Sequence, residues 1–264
     1  MVAVTLLVAI VTAALFPAVV APSEPNAIDL AAMLQPPSLS HPFGTDALGR
    51  DIFSRAVHGA QVSLLVAVSA VALAGAGGAI LGIVAAYYRG FIDGVLMRLA
   101  DVQFSLPAVI LAMVLVGAIG ANIVNLIIVL ALANWARFAR VIRSEALSLR
   151  AREFVLLAEL AGASPLRVMA FHIAPNVRGS FIVLATLDIG IVVILEATLS
   201  FLGLGIKPPD PSWGNLIADG RDYLATAWWV GILPGLVLMA LVLSCNVLGD
   251  WLRDRLSPTL SQKS

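Results

Sequence analysis

Two acidic residues, Asp188 and Glu196, interrupt an otherwise apolar stretch that runs from Gly179 to Leu202. A carboxylate inside lipid costs several kcal/mol unless it is paired, protonated or in contact with water, so both residues are candidates for a functional role. They are eight positions apart, and at about 100° per residue their side chains lie about 80° apart around a helix axis. Both could therefore face one polar cavity.

Asp188 has two interpretations, which the sequence leaves open: it lines a polar pathway, or it packs by bonding to a neighbouring helix. For Glu196, near the end of its stretch, the packing interpretation is favoured. Asp101, in an earlier apolar run, is a third candidate for the pathway. The alternative from another class is an intramembrane enzyme that uses Asp188 and Glu196 as an acid pair.

Other reactive side chains are sparse. The chain contains no GxxxxGK[ST] nucleotide loop and no HExxH motif, and no Ser-His-Asp arrangement can be placed. Cys245 is the one cysteine, which excludes an intrachain disulfide and a cysteine metal cluster and favours a buried, inert thiol. His41 and His58 are a poor metal signal, and surface or capping roles are favoured. The sequence predicts no catalytic residue, no bound metal and no cofactor in this chain.

The composition is that of a membrane protein. Of the 264 residues, 60% are hydrophobic and 12% are charged, with a mean hydropathy of +0.99. Soluble domains carry about 25% charged residues, so the lipid bilayer must cover part of this surface. The formal net charge is zero, and nothing indicates a nucleic-acid partner.

The apolar runs predict an all-α membrane protein of six transmembrane helices in one domain, 1–264. The predicted spans are 2–20, 62–88, 99–119, 121–136, 179–202 and 225–248. The fourth is expected to continue as a helix that leaves the membrane. Segment 44–60 is predicted to be an amphipathic helix that lies at a membrane surface or against other spans, with Asp46–Arg50 and Asp51–Arg55 pairs. Segment 204–223 is predicted to be a loop, and 249–264 a polar tail.

Two features inside the spans have structural meaning. In the second span, small residues recur every four positions, which predicts a face where another helix backbone approaches closely. They are Ala70, Ala74, Gly78, Gly82 and Ala86. Chance in a chain rich in Ala and Gly is the alternative. In the third span, Pro107 is expected to bend or break the helix.

The basic residues predict the orientation. Six spans divide the 16 Lys and Arg residues into twelve on the side of both termini and four on the other side. Because positive charge accumulates on the cytoplasmic side, both termini are predicted to be cytoplasmic. The twelve are Arg89, Arg98, Arg137, Arg140, Arg143, Arg150, Arg152, Arg167, Arg178, Arg253, Arg255 and Lys263. The four are Arg50, Arg55, Lys207 and Arg221.

The longest polar interruption on the cytoplasmic side, 151–176, predicts two short helices with a defined break. Gly162 is expected to be a left-handed cap at the end of the first. Ser164 offers an N-cap oxygen for the second, Pro165 occupies its first position, and Pro175 is expected to end it. Such a segment is suited to docking on a partner, and an ordinary surface hairpin is the alternative.

Six motifs carry a resemblance to a known family. They are HPFGTDALGRD (41–51), SLLVAV (63–68), GASPLRVMAFHIAPN (162–176), LEATLSFLGLG (195–205), PSWGNLIADGRDYL (211–224) and NVLGDWLRD (246–254). Together they resemble, nearly end to end, the second membrane subunit of dipeptide and oligopeptide ABC importers. The resemblance implies the ABC importer (MetI-like) permease fold, with a cytoplasmic coupling helix in 151–176.

The segment 151–176 resembles the EAA loop of ABC permeases, matching it at Ala158, Gly162, Ile173 and Pro175. It departs where the loop's Glu and first Ala fall on Leu156 and Leu157, and Glu159 is a candidate replacement for that Glu. The resemblance implies a coupling site for the ATPase. Its residues are Leu156, Ala158, Glu159, Gly162, Ala163, Ser164, Pro165 and Leu166.

The resemblance further implies a multi-pass protein of a prokaryotic plasma (inner) membrane that works with several partners. These are a related permease subunit, two cytoplasmic ATPases that bind ATP and Mg, and an extracytoplasmic substrate-binding protein. Asp101, Asp188 and Glu196 are then candidates for the translocation path. Peptides are the first substrate class, with nickel chelates, glutathione, haem and opines as alternatives. A purely structural scaffold is disfavoured by the embedded acids and the proline-broken span.

Overall fold

A computed structural model describes residues 2–256. Within this range the chain is helical, without strands, and its one β-bridge joins Thr45 and Asp51. The helices are α1 (Val2–Leu15), α2 (Pro17–Val20), α3 (Ile52–Tyr88), α4 (Gly90–Phe104), α5 (Ala108–Ile119), α6 (Ile123–Arg150), α7 (Glu153–Leu160), α8 (Pro165–Val168), α9 (Ala174–Phe201), α10 (Trp213–Gly220) and α11 (Trp229–Leu256). Short 3-10 turns cover Leu30–Ala32 and Arg221–Tyr223. The end of the predicted tail, 257–264 with Lys263, lies outside the described residues.

Four helices in residues 2–256 are long and apolar enough to cross a membrane. They are α3, α6, α11 and the continuous helix Pro165–Phe201. The α4–α5 pair, bent by 93°, makes a fifth if it is counted as one broken span. The first predicted span is an apolar helix of 14 residues followed by a break before Pro17. Six spans therefore stay a prediction, while the all-helical membrane fold is confirmed.

The third predicted span, 99–119, is divided between two helices. Residues 99–104 belong to α4, and α5 begins at Ala108, directly after Pro107. The break at Pro107 is confirmed, because the residue before a proline is driven out of the helical conformation. The fourth span continues as predicted, since α6 extends without interruption from Ile123 to Arg150.

The predicted amphipathic helix 44–60 is partly wrong, because residues 52–60 are helical and residues 44–51 are not. Helix α3 begins at Ile52 and is continuous to Tyr88, so residues 52–60 extend the second span. The cause is Asp51, whose carboxylate accepts the Ser54 N–H at 2.7 Å and also contacts His41 Nδ1 at 3.0 Å. The expected Asp51–Arg55 pair is therefore absent from the ion pairs of residues 2–256, whereas the Asp46–Arg50 pair is present at 2.7 Å.

Pro175 does not end a helix, which corrects a further prediction. A π turn, Met169–Ile173, joins α8 to α9, and Pro175 occupies the first turn of α9. A proline has no N–H to donate to the preceding turn, and its ring needs more room there than another residue does. The wider π turn accommodates both effects. The second helix of 151–176 is consequently continuous with the fifth predicted span.

The small-residue face of α3 packs against α6. A Cβ on Gly78 would lie 2.4 Å from the carbonyl oxygen of Trp135, and a Cβ on Gly82 would lie 2.5 Å from that of Ala139. Only hydrogen fits at these two positions, so the predicted close backbone approach is confirmed. It joins two helices of the same chain.

The predicted loop 204–223 contains helix α10. Its first residue, Trp213, is fully buried and donates its indole N–H to the Ala56 carbonyl at 3.0 Å. Gly214 allows contact with α9, because a Cβ there would lie 2.4 Å from the Ala197 oxygen. The sixth predicted span is also shifted: α11 begins at Trp229, later than 225, and extends to Leu256, so its last turns lie in the predicted tail.

Candidate functional site

The break inside the 151–176 segment has the predicted cap geometry. Gly162 has a φ of +84°, the left-handed conformation that favours glycine. Ser164 is extended, and its hydroxyl accepts the Arg167 N–H at 3.4 Å. Pro165 occupies the first position of α8. Two short helices, α7 and α8, therefore meet at a defined angle at one end of the bundle.

The inner side of this segment is part of a hydrophobic core. Val155, Val168 and Ile173 are fully buried. They belong to one cluster with residues near the ends of α3 and α6, including Ala86 and Ala146. Since α7 and α8 share this core with two long helices, a force on the segment is transmitted to both.

The outer side of the segment exposes large apolar side chains, which we call the outer apolar surface. Its members are Leu156, Leu157, Leu160, Leu166 and Phe171. Leu160, Leu166 and Phe171 are 84%, 75% and 73% exposed. Ala158 and Ala163, which were predicted to contribute to a docking face, are half-buried against the rest of the chain. Exposed apolar side chains grouped in this way mark a partner or lipid contact.

Glu159 turns towards its own chain. Its carboxylate lies beside the phenol of Tyr87, at the end of α3. Arg150, at the end of α6, donates to the Tyr87 carbonyl, and its guanidinium lies 4.8 Å from the centre of the Tyr87 ring. Sequence reasoning missed Tyr87 and Arg150 because no local pattern links residues this far apart in the chain. Leu156, at the position of the EAA glutamate, is exposed instead.

Two ion pairs attach α4 to α6. Asp93 pairs with Arg143, and Asp101 pairs with Arg140. The Arg140 guanidinium also lies 4.4 Å from the centre of the Phe104 ring. Asp101 is exposed and is not brought together with Asp188 or Glu196.

Asp188 is fully buried in α9 and pairs with Arg137 of α6 at 2.9 Å. Its second carboxylate oxygen is buried and has no hydrogen-bond partner among residues 2–256. Arg137 was predicted to lie outside the membrane, and the structure places it beside the embedded acid. It is a third residue whose role the sequence pattern did not identify, because that role depends on contact between α6 and α9.

Glu196 is fully buried among serines. Ser63 of α3 donates to one carboxylate oxygen at 2.9 Å, and Ser200 of α9 donates to the other at 2.7 Å. Asp188 and Glu196 therefore have separate partners and do not meet. In residues 2–256, no group of three His, Cys, Asp or Glu side chains could hold a metal ion.

Two of the motifs, GTDxxGRD and PSWGN, meet at the end of the bundle away from the 151–176 segment. Arg55 is buried, with Asp46 and Asp219 each 3.8 Å from its guanidinium. Burial raises the pKa of the Asp219 carboxyl, and the charge of Arg55 offsets part of that rise. A cavity of about 330 Å³ opens beside Arg55, Asp219 and Pro209. Sequence reasoning paired Arg55 with Asp51 and did not identify its contacts with Asp46 and Asp219.

The sequence is similar to those of known transport proteins. Residues 78–262 match the family described as binding-protein-dependent transport system inner membrane component. The nickel transport system permease protein NikC of Escherichia coli K12 is 44% identical over 90% of this chain and 86% of its own length. The di/tripeptide transport system permease protein DppC of Pseudomonas aeruginosa is 39% identical over 95% of this chain and 85% of its own length.

A third relative, the dipeptide transport system permease protein DppC of Alkalihalophilus pseudofirmus, is 41% identical over 86% of this chain and 75% of its own length. Both the family match and these relatives extend through α6, the 151–176 segment and α9. The chain therefore belongs to the binding-protein-dependent transport system inner membrane components, among the peptide and nickel permeases of ABC importers.

Proposed function

We propose that this chain is one of two related membrane subunits that form the channel of an ATP-driven importer for di- and oligopeptides. One observation carries the proposal: in a chain of this permease family, a rigid segment exposes an apolar surface at one end of the bundle. A transport permease is not expected to catalyse a reaction itself. ATP and Mg then bind to the partner ATPases.

The outer apolar surface is the proposed docking site for a cytoplasmic ATPase. Burying a large apolar side chain stabilises a contact by about 1.5–3 kcal/mol, so a few residues such as Leu160 and Leu166 suffice for a specific interface. The inner side of the same segment packs on the ends of α3 and α6. Closure of the ATPases then moves the segment and both helices together, as a rigid-body rearrangement.

The remaining topology follows from the charge distribution. We propose six spans with both termini and the 151–176 segment in the cytoplasm of a prokaryotic cell. The motif cluster around Arg55 and Asp219 then faces the extracytoplasmic substrate-binding protein. Substrate passes between this chain and the related permease, and Asp101, Asp188 and Glu196 are the candidate polar residues of that path.

The substrate class rests on the relatives. Permeases named for dipeptides and for di/tripeptides support peptides, and the nickel permease supports a nickel chelate as the second candidate. Glutathione, haem and opines are further alternatives. Competition of each compound against a labelled dipeptide for binding to the soluble partner separates these classes.

The proposal is tested by reconstitution. The chain is co-expressed with a related permease, ATPases and a binding protein from the same organism, and uptake of a labelled dipeptide into vesicles is measured with and without ATP. We expect the components to co-purify and uptake to require ATP. Failure to co-purify with an ATPase, or substrate turnover by the isolated chain through Asp188 and Glu196, would overturn it.

A further inference from the structure

The guanidinium of Arg137 has several N–H donors that make no hydrogen bond within residues 2–256. One of its terminal nitrogens donates to Asp188, and its side chain makes no other hydrogen bond within residues 2–256. An arginine carries five N–H donors in a planar fork. The side chain is 38% exposed, although its partner is fully buried. Most of the donors therefore point away from Asp188.

The position of Arg137 along α6 puts its guanidinium inside the bilayer. Arg137 then no longer counts among the cytoplasmic basic residues, and the charge split that predicts the orientation becomes eleven against four. The helix has 28 residues, and Arg137 lies at its midpoint. Such a helix is about 42 Å long. If both faces of a hydrocarbon layer of about 30 Å fall within that length, the layer includes the midpoint. Because Asp188 of α9 is bonded to Arg137, its carboxylate lies at the same depth.

An exposed guanidinium at this depth does not face lipid, because a charge in hydrocarbon is strongly unfavourable. From the middle of α6 the nearest face of the hydrocarbon layer is at least about 9 Å away, farther than the side chain extends while it is bonded to Asp188. The side of the Arg137 guanidinium that is not bonded to Asp188 must therefore face a polar, water-containing space or a polar partner group. In a channel between two permeases, that space is the translocation path.

We propose that Arg137 binds a carboxylate group of the transported substrate, and that Asp188 is the residue that positions it. This inference rests on the proposed function, because it requires a path along this face of α6. Peptides, glutathione, haem and opines all carry carboxylates, so the inference holds across those candidates. An arginine holds a carboxylate with two parallel N–H···O bonds, which gives orientation as well as attraction.

Asp188 supplies the rigidity that such a site needs. Its oxygen lies 2.9 Å from one terminal nitrogen of Arg137, and burial in α9 fixes the carboxylate. One edge of the fork is thereby anchored and the other remains free for a ligand. Arg140, one turn further along α6, is not equivalent, because it pairs with Asp101 and covers the ring of Phe104.

The test separates recognition from a structural ion pair. Breaking a buried pair by removing one partner is destabilising, whereas replacing both partners is often nearly neutral. The double variant Arg137→Gln/Asp188→Asn should therefore assemble with its partners in wild-type amounts. If Arg137 binds the substrate carboxylate, uptake of a labelled dipeptide per assembled complex stays at least about tenfold below wild type. Uptake that returns to the wild-type rate would overturn the proposal.

A second variant tests the proposal if the double variant does not assemble. Arg137→Lys keeps the charge and the pair with Asp188 and loses the planar fork. We expect it to assemble and to show a KM for dipeptide uptake raised several-fold. An unchanged KM would contradict the proposal. The control is Arg98→Gln, which removes an exposed arginine of α4 and should leave uptake unchanged. If the wild-type complex itself shows no ATP-dependent uptake, the proposed function fails rather than this inference.

Discussion

The carbonyl oxygen of Trp135 lies 2.4 Å from the point that a Cβ on Gly78 would occupy. A side chain there must push α3 and α6 apart, and overpacking of this kind costs about 1–3 kcal/mol or more. We predict that Gly78→Leu lowers the yield of assembled complex and its thermal stability. The neighbouring control is Gly77→Leu, since a Cβ on Gly77 would meet no atom within 4 Å. Equal melting temperatures of the two purified variants would contradict the packing role.

The Ser63 hydroxyl donates a hydrogen bond to the buried Glu196 carboxylate. Ser63→Ala removes this donor, which costs about 1–3 kcal/mol for a buried polar group. We predict faster thermal inactivation of the purified complex. Ser244→Ala is the control, because this buried hydroxyl donates only to the Ala240 carbonyl of its own helix. If Ser63→Ala is as stable as the control, Glu196 is not held in the way described.

Glu159 and Tyr87 form the contact that links α7 to the end of α3. Glu159→Lys replaces the carboxylate with a cation near Arg150, so we predict loss of this link and weaker coupling of ATP hydrolysis to uptake. Tyr87→Phe removes only the phenol hydroxyl and should reproduce part of the loss. Should Tyr87→Phe transport like the parent while Glu159→Lys does not, Glu159 acts on the ATPase directly.

Local patterns in the sequence predicted the helices and the turn at Gly162 well. The apolar runs identified the long helices, and the caps at Gly162, Ser164 and Pro165 followed from backbone preferences of single residues. The period of small residues in α3 predicted the contact that Gly78 makes with α6. Each of these signals depends on residues within a few turns of one another.

The errors arose where tertiary contacts decided the local structure. Asp51 starts α3 as a cap instead of pairing with Arg55, and the π turn before Pro175 lets a helix continue through a proline. The partners of the polar residues were not predictable either. Arg137 meets Asp188 and Tyr87 meets Glu159 only because distant helices pack together, and a single sequence contains no direct measure of that packing.

Labelling of single cysteines tests the proposed orientation, in a chain whose buried Cys245 has been replaced. Lys207 lies in an exposed loop and is therefore suitable as a label site. We predict that Lys207→Cys reacts with a membrane-impermeant reagent added to intact cells, and that Ser164→Cys reacts only after the cells are opened. The reverse pattern would exclude cytoplasmic termini.

The most direct test of coupling through the 151–176 segment is made at Gly162. Its φ is +84°, and a Cβ would meet no atom within 4 Å, so substitution acts through the backbone alone. Gly162→Val forces a β-branched residue into a left-handed conformation at about 1 kcal/mol or more, whereas Gly162→Asn tolerates it.

The measurement is the ratio of dipeptide uptake to ATP hydrolysis on the same purified and reconstituted complex. The account predicts that Gly162→Val remains paired with its sister permease but loses ATPase docking or has a ratio reduced several-fold, while Gly162→Asn stays near wild type. A Gly162→Val complex that binds its ATPases, hydrolyses ATP and transports dipeptide like the parent would contradict it.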